Sequence, residues 1–253
     1  MIWRLIELEK SDAFTNMAID EALTFSVGKK KSPPTIRFYQ WSPAAVSLGY
    51  FQKASDVNVK FCEEQKIDCV RRLTGGSAVL HELSDLTYSV IAPQDFFPKD
   101  LLESYKEICS WMLLALKNLG INAVLEKNDL RVAGRKISGN AQARVNGVLL
   151  QHGTLIFEFD CERTMKVLNL RGKEELVKKE ITSVFEEGNL KFGEVYEEVK
   201  VSFMKGKRFK LGTLSGEEKL LVKKLVEEKY RTSAWNGSIE GKERGPCYLR
   251  LNR

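Results

Sequence analysis

Long apolar runs are missing from this chain of 253 residues. No segment approaches the roughly 18 to 20 apolar residues that a membrane-spanning helix needs. The first residues lead into charged sequence where a signal peptide would have its apolar core. We therefore expect a cytoplasmic protein without a membrane partner. With 43% hydrophobic and 29% charged residues and no internal repeat, the composition is that of an ordinary globular domain.

Cysteine and histidine are scarce and poorly spaced for metal binding. The five cysteines, Cys161 and Cys247 among them, form an odd set without a CxxC pair. This argues against a disulfide framework and against a cysteine zinc site, so we expect free, mostly structural thiols. The two histidines, His81 and His152, do not assemble a convincing metal cluster or Ser-His-Asp triad. Each is either a structural hydrogen-bonding residue or part of a site.

No strong excess of one charge marks the chain. The formal net charge is +6, and the lysines of residues 219–229 stand beside glutamates, as is typical of a solvated helix face. Nucleic acid is therefore not an expected partner. A mildly basic surface would equally suit an acidic protein.

Periodicity and turn signals predict the fold class. Apolar residues at helical spacing after a capping position at Ser11 or Asp12 predict a first helix, and residues 100–119 predict another. Between residues 130 and 159, turn signals at Ala133-Gly134 and Asn146-Gly147 predict antiparallel strands. Because hairpins are mixed with helices, we predict an α/β (α+β) fold with a mixed, mostly antiparallel sheet flanked by helices.

The length suits one large domain or two unequal ones. We predict a catalytic domain over residues 1–205 and a C-terminal helical segment over residues 206–253, packed on the same domain. A capping-box spacing, Ser215 to Glu218, starts the main helix of that segment.

The clearest candidate for anion binding is a pair of arginines followed by a Gly-rich turn. Arg71 and Arg72 offer charge-assisted donors for a carboxylate or phosphate, and Gly75 and Gly76 would let backbone N–H groups approach it. The turn is neither a Walker A loop nor a GxGxxG motif. Its alternative interpretation is a plain hairpin connection.

A second candidate is Lys136, which lies among glycines in a strand-rich region. Its ammonium could neutralise a carboxylate and an attached phosphate as an acyl phosphate bond forms. Upstream, Asn128 and Asp129 could hold Mg²⁺ through oxygen ligands. The alternatives are an exposed hairpin lysine and a turn initiator.

Four blocks in order resemble the signature of the lipoate-protein ligase A family. They are residues 71–81, 128–130, 134–142 and 151–155. With shorter matches such as Asn16–Glu21, the resemblance extends over about residues 5 to 236. It implies a biotinyl/lipoyl ligase fold, related to the catalytic domain of class II aminoacyl-tRNA synthetases.

The resemblance also implies site residues and a reaction. Lys136 would be catalytic, and Asp129 would be a possible magnesium ligand. The expected reaction forms lipoyl adenylate from lipoate and Mg²⁺-ATP, and an acceptor lysine then takes the lipoyl group. The residues implied in substrate and ATP binding are Arg71, Arg72, Gly75, Gly76, Ser77, Ala78, His81, Asn128, Asp129, Gly139, Asn140, Ala141, His152, Gly153 and Thr154.

The resemblance implies protein partners as well. The acceptor would be a lipoyl domain or a glycine-cleavage H-type protein. Ligases of this family that work as one chain add a C-terminal accessory domain, whereas this chain stops at Arg253, soon after Trp235-Asn236. Either activation occurs without that domain or a separate accessory subunit supplies it, and we expect the second.

An octanoyl/lipoyl acyltransferase that uses an acyl-carrier thioester without ATP is the alternative. The Gly-rich block ends in Ser77, and the stretch after His81 resembles the octanoyltransferase branch about as well. Such transferases carry the acyl group on a cysteine, which predicts sensitivity to thiol-blocking reagents. No cysteine lies between Gly120 and Lys136, and Cys161 lacks the surrounding Pro-Cys-Gly pattern. The ATP-dependent ligase is therefore our main prediction. An inactive lipoyl-binding scaffold and a biotin ligase fit less well.

Overall fold

The computed structural model describes residues 1–170 and 172–237. Cys247, one of the thiols predicted to be free, lies outside the described residues, as does part of the predicted C-terminal segment. The strands are β1 (Ile2–Ser11), β2 (Thr35–Trp41), β3 (Ala45–Leu48), β4 (Asp68–Arg71), β5 (Val79–His81), β6 (Leu86–Pro93), β7 (Val124–Glu126), β8 (Asp129–Val132), β9 (Arg135–Val145), β10 (Val148–Leu155) and β11 (Arg208–Leu211). The α-helices are α1 (Ala13–Gly28), α2 (Val59–Glu64), α3 (Leu101–Asn118), α4 (Cys161–Val167), α5 (Glu174–Glu180), α6 (Val184–Gly188), α7 (Phe192–Met204), α8 (Gly216–Leu225) and α9 (Ser233–Asn236).

Most strands form one eight-stranded sheet in the order β11-β1-β2-β6-β10-β9-β8-β7. Strand β1 runs parallel to β2 and β11, whereas the other neighbouring pairs are antiparallel. A small sheet, β4-β3-β5, lies apart from it. The predicted mixed, mostly antiparallel sheet is confirmed.

Two tight turns build the hairpins on which the site lies. Ala133 and Gly134 have φ of +46° and +82°, and Asn146 and Gly147 have φ of +51° and +77°. Such left-handed pairs match the twist of antiparallel strands, and asparagine and glycine adopt them at low cost. Strands β8, β9 and β10 therefore follow one another as the predicted meander.

Side chains alternate along each strand, so the large sheet presents apolar side chains on both of its faces. Helices cover both faces. Phe38 of β2 packs in a cluster with α3 and α7, whereas its neighbour Tyr39 packs in a second cluster with α1 and α8. Helix α1 begins where the sequence predicts, because the Asp12 carboxylate accepts a hydrogen bond from the Thr15 amide at 2.7 Å. The cleft described below opens along α1 and the strands that it covers.

Some regular elements were not predicted from the pattern of the sequence. They are β1, α6, α7, β11 and α9. Strand β11 pairs with β1 at the edge of the large sheet, and α8 packs on α1. The division at residue 205 stays a prediction. Within residues 1–170 and 172–237, no helix is both long and apolar enough to cross a membrane.

Candidate active site

A cleft of about 310 Å³ lies between the β9–β10 hairpin and the Gly-rich turn after β4. Its buried part includes Tyr39, Trp41 and His81, all at most 4% exposed. Its open part includes Lys136, whose side chain is 30% exposed. A volume near the lower end of ligand pockets suits a small molecule.

Most of the residues predicted for the site meet in this cleft. Arg71 and Gly75 do not line it, and the individual roles of all these residues stay predictions. Those that line it are Arg72, Gly76, Ser77, Ala78, His81, Asn128, Asp129, Lys136, Gly139, Asn140, Ala141, His152, Gly153 and Thr154.

Lys136 lies near the start of β9, and its ammonium is paired with Asp129. The Lys136 Nζ to Asp129 Oδ1 distance is 2.9 Å. A Cβ atom at position 139 would come within 2.7 Å of Lys136 Nζ, so Gly139 leaves the room that this side chain occupies. The Lys136 carbonyl accepts a hydrogen bond from Thr182 N at 2.9 Å, which ties the strand to the segment before α6. The cation is therefore held in place.

Asp129, predicted as a possible magnesium ligand, is paired with two cationic side chains. Its carboxylate contacts Lys136 at 2.9 Å and Arg131 at 3.7 Å. Among the residues that the structure describes, no group of three or more His, Cys, Asp or Glu side chains could hold a metal ion. The predicted ligand is thus occupied as the partner of a lysine.

His152 is fixed between a helix and the Gly-rich turn. Its Nδ1 lies 3.1 Å from Asp20 Oδ2, and its Nε2 lies 2.7 Å from Thr74 Oγ1. Thr74 Oγ1 also accepts a hydrogen bond from Arg72 Nε at 3.1 Å. Because the Asp20 carboxylate can only accept, His152 Nδ1 carries a proton and donates it to Asp20.

Arg72 organises the Gly-rich turn from inside. Its Nη2 donates to the carbonyls of Gly75 and Ser77 at 2.7 and 2.9 Å, and its Nη1 donates to the Ser47 carbonyl at 2.7 Å. Burial lowers the pKa of Arg72 to about 10, so the guanidinium stays charged at neutral pH. Its cation supports the turn at the wall of the cleft.

His81 lies flat against Trp41 at the buried end. The ring centroids are 4.1 Å apart and the planes differ by 12°. Burial, with the nearby Arg72 cation, holds the pKa of His81 well below its usual value, so the ring is neutral. Its nitrogens contact Ser47 Oγ at 2.8 Å and Thr154 Oγ1 at 3.2 Å. These polar atoms are satisfied within the wall, which suits an apolar chain beside them.

Some cleft residues were not predicted from the sequence. Met17, which lies in one of the shorter matching blocks, lines the cleft from α1. Asp20 of the same block does not line the cleft but contacts His152. The remainder are Tyr39, Trp41, Ser47, Val79, Thr87 and Ile156. Alternation along a strand predicts which side chains share one face of the sheet, but it does not predict that this face forms the wall of a cleft.

Fold and site together define an enzyme of the lipoyl ligase and transferase class. The model of the lipoyl protein ligase A/B catalytic domain matches residues 12–204, and the chain belongs to this family. The predicted family is thereby confirmed.

Relatives in sequence and in structure carry different activities. Octanoyltransferase LipM of Brevibacillus brevis is 34% identical over 92% of this chain and 98% of its own. Octanoyltransferase LipM of Staphylococcus aureus is 32% identical over 92% and 97%. The bi-partite lipoate protein ligase of Thermoplasma acidophilum superposes with a TM-score of 0.85 and 27% identity, over 96% of this chain and 99% of that one. A lipoate-protein ligase A bound with ATP gives a TM-score of 0.82 and 27% identity, over 93% and 98%.

Our main functional prediction, the ATP-dependent lipoate ligase, is wrong. Four relatives that are 32 to 35% identical over 92% of this chain are octanoyltransferases. An octanoyltransferase moves a group that its donor has already activated and forms no adenylate. The predicted cofactors ATP and Mg²⁺ are wrong for the same reason. An ATP-bound ligase shares this fold, and one fold can host several activities, so resemblance to the family did not separate ligase from transferase.

Proposed function

We propose that this protein is an acyltransferase that moves an octanoyl group from an acyl-carrier thioester to a lysine of a lipoyl-domain protein. The observation that carries the proposal is 34% identity to an octanoyltransferase over 92% of this chain. Similarity over nearly all of both chains includes every block that meets in the cleft.

The shape of the cleft supports a medium-chain acyl substrate. It runs from the partly exposed Lys136 to the buried Trp41 and His81. We assign the hydrocarbon tail to the buried end, where its removal from water is favourable by roughly 0.8 kcal/mol for each methylene. The reacting carbonyl then lies at the open end, where an acceptor can approach.

The transfer balances without ATP. The acceptor amine attacks the thioester carbonyl and forms the C–N bond, so negative charge develops on the carbonyl oxygen. Collapse breaks the C–S bond, and the departing thiolate takes up the proton that the amine loses. The Lys136 ammonium is the cation that we assign to the transient oxyanion, with Asp129 holding it in place.

We assign no covalent acyl-enzyme step. Cys62, Cys69, Cys109 and Cys161, the cysteines within the described part of the chain, do not line the cleft. Burial raises the pKa of Cys109 to about 12, which makes its thiol a poor nucleophile. We therefore propose direct attack of the acceptor amine on the donor, in place of the cysteine-carried transfer that the resemblance implies for octanoyltransferases. Cys247 lies outside the described residues and is tested separately below.

The acceptor that we propose is a lipoyl domain or an H-type protein presenting one exposed lysine. The Thermoplasma acidophilum relative is a bi-partite ligase that was studied with its E2 lipoyl domain, which supports this class of acceptor. A separate accessory subunit stays a prediction, which an assay of the chain alone tests.

The test is an acyl-transfer assay with the purified chain. An octanoyl thioester of an acyl carrier protein and a lipoyl domain are mixed without ATP, and intact-protein mass spectrometry follows the acceptor. We expect the lipoyl domain to gain the mass of one octanoyl group through a bond that survives hydroxylamine. A chain that leaves the acceptor unmodified, both alone and with cell extract from its source, would contradict the proposal.

A further inference from the structure

Arg71, the last residue of strand β4, contacts Trp235 and Asn236 of helix α9. The Arg71 amide donates to Asn236 Oδ1 at 2.9 Å, and the Arg71 carbonyl accepts from Trp235 Nε1 at 2.9 Å. Because β4 is at the edge of the small sheet, these side chains satisfy the backbone groups that another strand would pair. We call Trp235 and Asn236 the C-terminal anchor.

The guanidinium of Arg71 extends this contact towards the cleft. Its Nε and Nη2 donate to the carbonyls of the C-terminal anchor, each at 3.1 Å. Its Nη1 donates to the carbonyls of Gly49 and Gln52 at 2.8 and 2.6 Å. The residue is only 2% exposed, so these bonds are shielded from water. Arg71 thereby joins α9 to the loop of residues 49–52, instead of lining the cleft as the sequence suggests.

That loop supports the Gly-rich turn directly. The Tyr50 amide donates to the Thr74 carbonyl at 2.8 Å. A Cβ atom at Gly49 would lie 1.8 Å from the Gly76 carbonyl oxygen, so the two backbones are in contact. Gly76 and Ser77 line the cleft. An unbroken series of contacts thus leads from α9 to one wall of the cleft.

Aromatic contacts hold the anchor itself. The Trp235 ring meets the rings of Tyr50 and Tyr230 at centroid distances of 5.9 Å each. Lys229 Nζ lies 3.9 Å from the Trp235 ring centroid and 2.7 Å from Glu21 Oε2. Cation–π and ring contacts of this kind hold the indole in the orientation in which its Nε1 donates to the Arg71 carbonyl.

We propose that the C-terminal anchor is a positioning element of the cleft. Through Arg71 it sets the Gly-rich wall against which the acyl donor binds, from a position 165 residues away in sequence. This role goes beyond acyl transfer, and only its kinetic consequence rests on the proposed function.

Hydrogen exchange tests the anchor without any need for turnover. In Asn236→Ala, and in Trp235→Phe, which keeps a ring but loses the donor, we expect faster amide exchange in residues 49–52 and 72–78. Strands β6 and β10 should keep their protection. The control is Asn118→Ala, which removes an exposed hydrogen bond to Glu198 at 2.8 Å. Unchanged exchange in the two segments, or a uniform rise over the whole chain, would overturn the inference.

Kinetics add a readout that a loss of stability alone would not move. Asn236→Ala loses the hydrogen bond to the Arg71 amide and the one to the Tyr230 carbonyl. Because one lost neutral hydrogen bond already corresponds to about fivefold, KM for the octanoyl thioester should rise about fivefold or more, with kcat changed less than about twofold. Asn236→Asp keeps the acceptor oxygen for the Arg71 amide but loses the Nδ2 donor to Tyr230, so its KM should lie between the wild-type and Asn236→Ala values. An equal KM in wild type and Asn236→Ala counts against the anchor. A wild-type chain without turnover counts against the proposed function, and the exchange data still decide the anchor.

Discussion

Buried charges in this protein are stable because each has several partners, and Asp20 is the clearest example. Its carboxylate accepts from Arg37 at 3.1 Å and from Ser89 at 2.8 Å, and it contacts His152 at 3.1 Å. Burial pushes the pKa of Asp20 up, but the hydrogen bond of His152 and the charge of Arg37 outweigh it, so the pKa lies below its usual value. The carboxylate is therefore ionised whenever the protein is folded near neutral pH.

Replacing Asp20 should cost stability in a pH-dependent way. We expect Asp20→Asn to lower the free energy of unfolding by about 3 kcal/mol at pH 7, because Arg37 is left as a buried cation without its counter-charge. A lowered carboxyl pKa contributes stability above the unfolded value near 4 that is lost as the pH falls through the folded value. Urea unfolding at pH 7 and pH 3 should show the deficit shrinking at pH 3, below the unfolded value. Asp100→Asn, at the exposed cap of α3, is the matched control; an equal loss in both variants contradicts the argument.

Lys136 should matter to the reaction far more than to the fold. Removing one preorganised oxyanion donor lowers kcat by about 10² to 10³, and we expect this loss in Lys136→Ala. Its melting temperature should stay close to that of wild type, because the side chain is partly exposed. Lys166→Ala removes an exposed lysine that is paired with Glu162 within α4 and serves as control. A folded Lys136→Ala variant with the wild-type rate would remove Lys136 from the mechanism.

At the scale of single residues, the matching blocks predicted most of the cleft but not its buried end. Lys136, His152 and Gly153 stand in blocks whose composition is unusual, whereas Tyr39 and Trp41 look like ordinary strand residues. Their place in the cleft follows from pairing β2 with β6, which brings together residues about 50 apart. Local sequence carries no signal for such a pairing.

At the scale of elements, α8 combines a local signal with a distant one. The capping box is present as predicted, with Ser215 N donating to Glu218 Oε2 at 2.7 Å. The same Glu218 carboxylate receives both terminal nitrogens of Arg4 in β1 at 2.8 Å. One side chain thus caps the helix and docks it against β1, the strand next to the sheet edge.

This double duty predicts an acid-sensitive contact. Burial would raise the pKa of Glu218, but the Arg4 and Ser215 hydrogen bonds hold it at about 2. Its contribution is complete above the unfolded value near 4.3 and is lost as the pH falls towards 2. We expect Glu218→Gln to lower the free energy of unfolding at pH 7 by roughly 2 to 3 kcal/mol. Glu217→Gln, whose exposed carboxylate pairs with Lys31, should change it little. Denaturation of the two variants at pH 7 and pH 3 measures this difference. An equal loss in both variants at pH 7 would contradict the prediction.

Elements were predictable where their boundaries carry a signal. Asp12 and the two glycine turns mark α1 and the β8–β10 meander. Helix α7 has apolar residues at helical spacing, but Lys191 stands where Ser, Thr, Asp or Asn usually caps a helix, so no start was apparent. Strand β11 has four exposed residues and exists through its parallel pairing with β1. The residues of β11 alone therefore do not predict a strand.

At the scale of the whole molecule, the fold does not decide the reaction. The same architecture superposes on an ATP-bound ligase with a TM-score of 0.82, while relatives of higher identity are octanoyltransferases. Scaffolds commonly host several chemistries, and the residues of the site must discriminate among them. Here the signature blocks line one cleft with Lys136 at its open part, an arrangement that does not by itself distinguish the two reactions. Activation by ATP or by a thioester is a property of the donor, and the blocks alone could not predict it.

Direct transfer from the donor thioester makes a prediction for the whole chain. Blocking exposed thiols with iodoacetamide should leave octanoyl transfer at the wild-type rate, because no described cysteine lines the cleft. Cys247→Ser covers the cysteine outside the described residues, and Cys161→Ser is the matched control in α4. Both should retain activity, and acid-quenched reactions should contain no hydroxylamine-sensitive octanoyl-enzyme by mass spectrometry. An acyl-enzyme that disappears in Cys247→Ser together with turnover would replace direct attack with a two-step transfer through that thiol. It would leave the acyltransferase assignment intact.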